Sequence, residues 1–560
     1  MSTRTLRATA VGIVTVVVLA GCSAAGESSD AGTTSEAGGA VQGATLTIGM
    51  PNGTQTENHN PFVNTSSAQS LGYAYAIYEP LVQVNPIDPT SEPVPWLAES
   101  WEWSDDYTSV AFTVREGVTW SDGEDLTPDD VAYSMELRRD NEALNTFALP
   151  FDEVTTEGDT VTVSFTAPQY VNQNKVLNLY VVPEHIWSQV DDPTTDVNAD
   201  PVGTGPYVLE SWTPQAATLV PNEDYWGGEP AVPELRYSSY NDNNALTTAL
   251  ANGEVQWGWT FIADYENVYI AQDPEDHKFW APGGLGADVL FLNTAEKPFD
   301  DPALRRALNM VVDRSAIHTQ ATSGVFPELT NVTGIPTPVG EEFVAPQFAD
   351  QTFAVDVEGA KQVLADAGYT LDGDTLMDPD GEPVTFTLTN PAGWNDYLTS
   401  LQIVSDAVQP LGIEATVEAA NVDAWFNDIA NGDFQASMHW TDSGSTPWDL
   451  YANIMDGAQH RPLGESATWN FGRYENQEVT EALATFASSS DEQARQESLE
   501  TVQEIFVEQV PALAMVTRPF AAEYSTEHYV GWPSEEDPYN QPQPTGPQAS
   551  QILMNLEPAA

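Results

Sequence analysis

Ala111-Phe112-Thr113-Val114-Arg115-Glu116-Gly117-Val118-Thr119-Trp120-Ser121-Asp122-Gly123-Glu124-Asp125-Leu126-Thr127-Pro128-Asp129-Asp130-Val131 carries three structural instructions in one run. Phe112 and Val114 alternate with polar neighbours, which places them on one face of a strand. Asp122-Gly123 is a tight-turn pair. Thr127 is an N-cap residue with Pro128 at the first helical position, and Val131, Met135 and Leu137 carry the apolar face of the helix that follows. A Trp-rich segment, Pro95-Trp96-Leu97-Ala98-Glu99-Ser100-Trp101-Glu102-Trp103-Ser104-Asp105-Asp106, leads into it.

Working outward, Gly203-Thr204-Gly205-Pro206-Tyr207-Val208-Leu209-Glu210-Ser211-Trp212 and Asn222-Glu223-Asp224-Tyr225-Trp226-Gly227-Gly228 read as a strand pair, followed by Ala249-Leu250-Ala251-Asn252-Gly253-Glu254-Val255. Leu292-Asn293-Thr294, Pro298-Phe299-Asp300-Asp301-Pro302-Ala303-Leu304-Arg305-Arg306-Ala307-Leu308 and Val312-Asp313-Arg314 form a third block. There Asp301 caps a helix, Pro302 opens it, and Leu304, Ala307, Leu308 and Val311 make its apolar stripe. These blocks, in this order and spread over roughly Asn60 to Val530, closely resemble the family 5 solute-binding proteins of ABC importers. That group includes dipeptide, oligopeptide, nickel and cello-oligosaccharide binders.

The resemblance implies an α/β fold of the type II periplasmic-binding-protein class, cluster C: two lobes joined by crossing strands, with an extra inserted domain. Its boundaries fall at residues 44–84 (first lobe), 85–197 (inserted domain), 198–284 (first lobe again), 285–511 (second lobe) and 512–560 (first lobe, tail). The later half, read by itself, alternates helix and strand, which argues the same class. Asp356 caps a helix that Gly368 ends, Val384 to Leu388 is a strand, and Trp394 to Val408 is a helix stopped by Pro410. Ile413 to Val417 is a strand, Val422 to Ala430 a helix, and Phe434 to Trp440 a strand. Ala74 to Leu81 reads as an aromatic-faced helix.

At the start of the chain, Arg4 and Arg7 precede an apolar run from Ala8 to Ala20 that suits the core of an export signal better than a membrane span. Leu19-Ala20-Gly21-Cys22 resembles a bacterial lipobox, so residues 1–21 are expected to be removed and Cys22 to be acylated. Two or more acyl chains anchor firmly where one is marginal. Residues 22–43, rich in Ser, Gly, Ala, Thr and acids, read as a flexible tether. The mature protein is thus expected as a monomer moored to the outer face of the cytoplasmic membrane.

Lys and Arg total 17 against 84 Asp and Glu, for a formal net charge of −67. Such a surface repels phosphate backbones, which excludes nucleic acid as a partner. Lys175, Lys278, Lys297 and Lys361 are the only lysines, a bias that suits solubility in high salt. Cys22 is the only cysteine, so no intramolecular disulfide forms. At 560 residues the chain exceeds one ordinary core.

The ligand candidates follow from position and chemistry. Trp394 and Tyr397 lie in the corner Gly393-Trp394-Asn395-Asp396-Tyr397, and Trp440, Asp442, Ser443 and Trp448 lie in the polar stretch His439 to Leu450. Trp259 and Phe261 stand where the first lobe returns toward the hinge, and His59 and Asn60 lie in an early loop. Peptide binders of the resembled family usually place an Asp after the Trp to meet the ligand's ammonium. Matching Trp440 and Pro447 puts that position on Ser443, with Asp442 one residue early. A neutral sugar needs hydroxyl partners and flat apolar faces, which Trp and Tyr supply, and the Trp394 corner also looks like that of the cello-oligosaccharide binders. Oligopeptide is the first reading and a β-linked oligosaccharide the alternative.

No cofactor, catalytic residue or metal is expected. HExxH, G-x-S-x-G and Walker A sequences are absent, so ATP hydrolysis belongs to a cytoplasmic ATPase working through permease subunits. His59, His185, His277, His318, His439, His460 and His528 show no metal-ligand spacing. The acids around Asp378-Pro379-Asp380-Gly381 lack EF-hand spacing, because counting from Asp374 puts Leu376 where an acid or amide is needed. A glycoside hydrolase would need two acids flanking a sugar bond, and among 84 acids such a pair is no signal. A membrane sensor remains indistinguishable from an importer subunit by sequence.

Overall fold

The computed structural model of the protein describes residues 44–560 apart from Thr90. Cys22, the export signal and the tether lie outside the described residues.

Three separate stretches of chain build one seven-stranded mixed sheet. Strand Leu46–Met50 lies at its middle, parallel to Leu235–Ser239 on one side and to Trp257–Gly258 on the other. Ala216–Pro221 and Tyr207–Thr213 extend one edge antiparallel, and Ala522–Ser525 and His277–Trp280 extend the other. Leu46 and Ile48, the inward residues of the alternating run, are fully buried. Gly203 and Gly205 have a steric reason to be glycine: an added Cβ would meet the carbonyl oxygens of Ile77 at 1.9 Å and Ala76 at 2.4 Å. Gly205 N–H donates to that Ile77 carbonyl at 2.8 Å.

The block quoted first forms a second, four-stranded antiparallel sheet in the order Ala98–Trp103, Ser109–Val114, Thr160–Phe165, Phe151–Glu157. Phe112 and Val114 are buried in one cluster with Val131 and Met135 of helix Pro128–Asp140. Thr127 closes that helix with a full capping box: its hydroxyl accepts from the Asp130 N–H, and the Asp130 side chain accepts from the Thr127 N–H. Gly123 turns the chain at φ 91°.

Glu79 ties this sheet to the first. It is completely buried, and its carboxyl accepts from Trp96 Nε1 at 2.7 Å, Tyr225 Oη at 2.6 Å and Trp226 Nε1 at 3.0 Å. Burial pushes the carboxyl up from its ordinary value while those donors pull it down. The helix read over Ala74 to Leu81 is accordingly shorter than the sequence pattern implies. It spans Ala74–Ile77 only, because Tyr78 turns extended and Pro80 bridges to Tyr180.

The third sheet has five strands in the order Glu414–Ala420, Thr385–Pro391, Ala436–Trp440, Gly283–Leu292, Ala512–Pro519. Its first two strands are parallel and are joined by helix Asn395–Val408, and two hydrophobic clusters pack on it. In helix Pro302–Val311, capped by Asp301, the stripe Leu304, Ala307, Leu308 and Val311 is buried. Buried Arg305 donates to the Phe299, Gln509 and Val510 carbonyls, locking this helix to the end of helix Glu492–Gln509.

Two adjacent strands pass from the seven-stranded sheet to the five-stranded one. His277–Trp280 continues into Gly283–Leu292, and Ala512–Pro519 continues into Ala522–Ser525. They run side by side through the passage: Trp280 opposes Ala522, Gly283 opposes Pro519, and Phe520 N–H donates to the Pro282 carbonyl at 2.8 Å.

Replacing Glu79→Ala leaves one buried and two part-buried donors without an acceptor and is expected to lower stability by about 2–4 kcal/mol. Urea unfolding of the variant against the parent measures this, and Glu79→Gln, which keeps an acceptor oxygen, is expected to lose less than half as much.

Candidate functional site

The Trp394 corner is made by the end of strand Thr385–Pro391, a glycine at φ 93° (Gly393) and the first turn of helix Asn395–Val408. Gly393 is required there, since a side chain at that φ is strained. The turn aims Trp394 at the end of the neighbouring strand, where Trp440 stands with ring centroids 6.3 Å apart. Phe426, 43% exposed, closes the group from helix Val422–Asn431, its ring 6.4 Å from each of the two indoles. Trp425, fully buried beneath, lies 5.1 Å from Trp394. His439 stacks at 3.9 Å on Trp440. Burial pushes its imidazole down to about 3, so it is neutral and its Nδ1–H donates to the Trp440 carbonyl. The result is an aromatic wall whose outer faces belong to Trp394, Phe426 and Trp440.

Charged groups stand beside that wall. Asp288 lies opposite Trp440 in the strand register and is fully buried. Its Oδ1 accepts from Tyr397 Oη at 2.9 Å and from Arg518 Nη1 at 3.3 Å, while its Oδ2 has no hydrogen-bond partner. Burial pushes this carboxyl up despite the Arg518 charge. The Arg518 guanidinium sits 4.7 Å over the Trp440 ring with its side chain 34% exposed. Asp396 is pushed up to about 6 by burial and then by the Asp288 charge. Asp442 is also pushed up to about 6, by burial and then by Asp449.

The stretch after Trp440 is fastened from below. Thr441 Oγ1 accepts from the Ala287 N–H at 3.0 Å, Ser443 Oγ from the Leu285 N–H at 2.8 Å, and Asn453 Oδ1 from the Asp442 N–H at 2.7 Å. Trp448 Nε1 donates to the Leu483 carbonyl at 3.1 Å. Ser443 and the Trp448 indole N–H therefore hold the loop in shape, which leaves the Asp442 carboxyl as the group the loop presents. Lys175 reaches this loop from the segment following the four-stranded sheet, its Nζ 2.5 Å from Asp449 Oδ1 and 5.7 Å over the Trp448 ring. Next to it Arg495 lies 3.9 Å over Tyr170, which packs on Phe486.

Of the residues singled out in the sequence, the structure brings Trp394, Tyr397 and Trp440 together, with Asp442, Ser443 and Trp448 on the adjoining loop. Trp259 and Phe261 gather separately around buried Phe326, at 6.0 and 5.8 Å. His59 and Asn60 lie elsewhere and are engaged in their own loop. His59 Nδ1 meets Tyr73 Oη at 2.7 Å, and the Asn60 amide donates to the Pro193 and Asp196 carbonyls while its Oδ1 accepts from the Phe62 N–H. Both are buried anchors of that loop rather than parts of the wall. Asp288, Arg518, Phe426 and Lys175 were not read as site residues. A signal existed for Asp288, the one carboxylate in the otherwise apolar strand Gly283–Leu292, and for Arg518, a rare cation near the end of the apolar strand Ala512–Pro519. Phe426 and Lys175 carry none, since each reaches the site through tertiary packing alone.

Among the described residues no group of three His, Cys, Asp or Glu is arranged to hold a metal ion, and no helix is long and apolar enough to cross a membrane.

Residues 92–460 match the family described as bacterial extracellular solute-binding proteins, family 5. Protein XP55 of Streptomyces lividans is 29% identical over 414 residues, 72% of each chain. The glutathione-binding protein GsiB of Salmonella paratyphi A is 26% identical over 445 residues, 77% of this chain and 81% of that one. Among solved structures, a periplasmic oligopeptide-binding protein of an oligopeptide ABC transporter from Thermotoga maritima, with mannohexaose bound, superposes with a TM-score of 0.79 at 23% identity. It covers 92% of this chain and 98% of its own. The oligopeptide-binding protein AppA of Bacillus subtilis, in complex with a nonapeptide, gives 0.73 at 22% identity, covering 93% and 99%. The motif blocks, the three sheets with their paired crossing strands and a match over well over half the chain agree: this protein belongs to the bacterial extracellular solute-binding proteins of family 5.

Proposed function

We propose that the protein is the capture subunit of an ABC importer: a Cys22-acylated, monomeric binder outside the membrane that closes two lobes on an oligopeptide and passes it intact to permease subunits. The parts follow the chain as residues 44–84, 198–284 and 512–560 for the first lobe, 85–197 for the inserted domain and 285–511 for the second lobe. The observation that carries the reading is the wall itself, in which Trp394, Phe426 and Trp440 offer apolar faces, with the Arg518 guanidinium over Trp440 and its partner carboxylate Asp288 opposite Trp440 in the strand register. An oligopeptide presents the same alternation of apolar side chains and charges. The chain's family is one of extracellular solute-binding proteins, which supports capture and transport over catalysis. Relatives support peptide cargo, GsiB as a glutathione-binding protein and AppA in complex with a nonapeptide.

The second reading is an oligosaccharide. The Thermotoga protein, named for oligopeptides, was crystallised with mannohexaose, and flat indole faces suit sugar rings equally well.

Closure depends on the ligand binding the closed form better than the open one. Lys175 with Asp449, and Tyr170 with Arg495 and Phe486, are contacts of the inserted domain with the second lobe and belong to the closed arrangement in this reading.

Native mass spectrometry of protein produced from Ser23 onward is expected to show a co-purifying peptide, and a co-purifying glycan would move the assignment to the second reading. Trp394→Ala or Trp440→Ala is expected to weaken binding of that ligand by about 1–3 kcal/mol in calorimetry. An unchanged affinity in both variants would remove the wall from the site.

The raised acids give a pH signature. A carboxyl whose folded value lies near 6 against an ordinary 3.8 binds its proton more tightly in the folded state, so its contribution to stability falls as pH rises from about 4 to 6 and is constant above. Asp442→Asn removes that loss. The ligand-free variant is therefore expected to be more stable than the parent by about 1–2 kcal/mol at pH 7 and equal to it below pH 4, as read by denaturant titrations at the two pH values.

A further inference from the structure

The charges beside the aromatic wall do not balance. Asp288, Asp396 and Asp442 face a single guanidinium, Arg518, because Lys175, the other cation at this wall, is taken up by Asp449 at 2.5 Å. Arg518 uses one of its N–H groups on Asp288, at 3.3 Å, and reaches only Oδ1. Oδ2 of that fully buried carboxylate accepts nothing. A buried carboxylate oxygen without a donor is costly, and it persists where something else supplies the donor. The Asp442 side chain, half-buried on its fastened loop, is likewise without a hydrogen-bond donor among the described residues. Arg518 meanwhile shows how a cation is received here: flat against the Trp440 ring and backed by a carboxylate.

We infer that this wall selects ligands carrying an alkylammonium or guanidinium group, which enters between Asp396 and Asp288 and lies over the faces of Trp394 and Trp440. The inference rests on the peptide reading above and narrows it to basic peptides. The group enters as a second cation beside Arg518 and turns a three-to-one charge imbalance into three to two. Water is expelled as it enters, which strengthens its attraction to the acids. The same chemistry is found in a peptide's amino terminus and in a lysine or arginine side chain. The position of the acids beside the indoles favours the side chain, whose long apolar stem can lie along the rings while its charged end reaches the carboxylates.

Three short peptides separate these cases by calorimetry on the lobed protein produced from Ser23 onward: N-acetyl-Ala-Lys-Ala amide, N-acetyl-Ala-Leu-Ala amide, and Ala-Leu-Ala amide with a free amino terminus. The lysine peptide is expected to bind at least tenfold more tightly than its leucine counterpart. In Asp396→Asn the ratio of lysine-peptide to leucine-peptide affinity is expected to fall to threefold or less. Asp396 is half-buried at a helix start, so the variant is expected to fold, and a melting temperature at or above the parent's confirms it. A preference for the free amino terminus without a lysine preference would overturn the narrowing to basic peptides, even if Asp396→Asn abolished it. Equal binding of the lysine and leucine peptides, or a lysine preference that survives Asp396→Asn and disappears in Asp442→Asn, overturns the inference while leaving solute capture standing. Failure of all three to bind, with an oligosaccharide binding instead, overturns it together with the peptide reading.

Discussion

The geometry of the wall depends on two neighbouring strands making the same passage together. Gly283–Leu292 and Ala512–Pro519 are hydrogen-bonded neighbours in the five-stranded sheet, and their continuations His277–Trp280 and Ala522–Ser525 are neighbours again in the seven-stranded one. A single strand crossing between sheets would leave both its edges free at the crossing, whereas two strands satisfy each other there, as the Phe520–Pro282 bond shows. Asp288 lies on one of these strands and Arg518 on the other, so the ion pair at the wall joins the two strands just past the passage. Any rotation of one sheet against the other must be absorbed within Ala281–Pro282 and Phe520–Ala521, between the paired ends. The wall thus belongs to the five-stranded sheet and sits close to the passage. On the other side of the passage lies a second fully buried acid, Glu523, whose Oε2 accepts from the Thr260 N–H at 3.2 Å and which burial pushes well above its ordinary value. Buried acids on both sides of the same short passage make polar burial a property of the passage as well as of the wall.

How much of this was legible in the sequence depends on how local each cause is. Capping boxes, proline at a helix start and alternating strands are contained in a few adjacent residues, and the Thr127 and Asp301 caps and the Leu304 to Val311 stripe could be read directly. Gly203 and Gly205 were visible as glycines, but their reason, the closeness of the Ile77 and Ala76 carbonyls, appears only once helix Ala74–Ile77 is packed against them. The shortened helix after Ala74 shows the same limit. Glu79 has donors from Trp96, Tyr225 and Trp226, all distant along the chain, and its capture turns the backbone where local pattern favours continuing.

The candidate site divides along the same line. Trp394, Tyr397 and Trp440 stand at strand ends and helix starts, and strand-to-helix corners are places where side chains leave the core. Asp442 and Trp448 could be named from the loop, although only the hydrogen bonds of Ser443 and Trp448 separate the groups that shape it from the carboxyl it presents. His59 and Asn60 share the polar, turn-rich look of a binding loop, and a loop that is anchored internally looks the same in sequence as one that faces a ligand. Asp288 could have been found by asking why an acid interrupts an apolar strand.

The extreme acidity of the chain gives its few cations unusual weight. Most of the 84 acids are dispersed on the surface, where salt screens them within about 10 Å, so they make solubility and little structure. Cations are scarce, and several of them have an identifiable task. Arg305 and Arg314 bind backbone carbonyls in the second core, Arg138 does so beside Tyr180, and Lys175 and Arg518 stand at the wall. For the first three, carbonyl oxygens replace the water lost on burial without needing a counter-charge, so they stiffen the sheets at modest cost. The two at the wall are paired with carboxylates instead, and such pairs keep an electrostatic preference for what comes next to them. A chain that is acidic over its surface thereby also carries, at one wall, a desolvated field shaped by three acids and one guanidinium. Discrimination among cationic groups at such a wall would have to come from local arrangement, because long-range attraction at −67 is the same for every small cation and is screened by salt, while contact at a few ångströms persists.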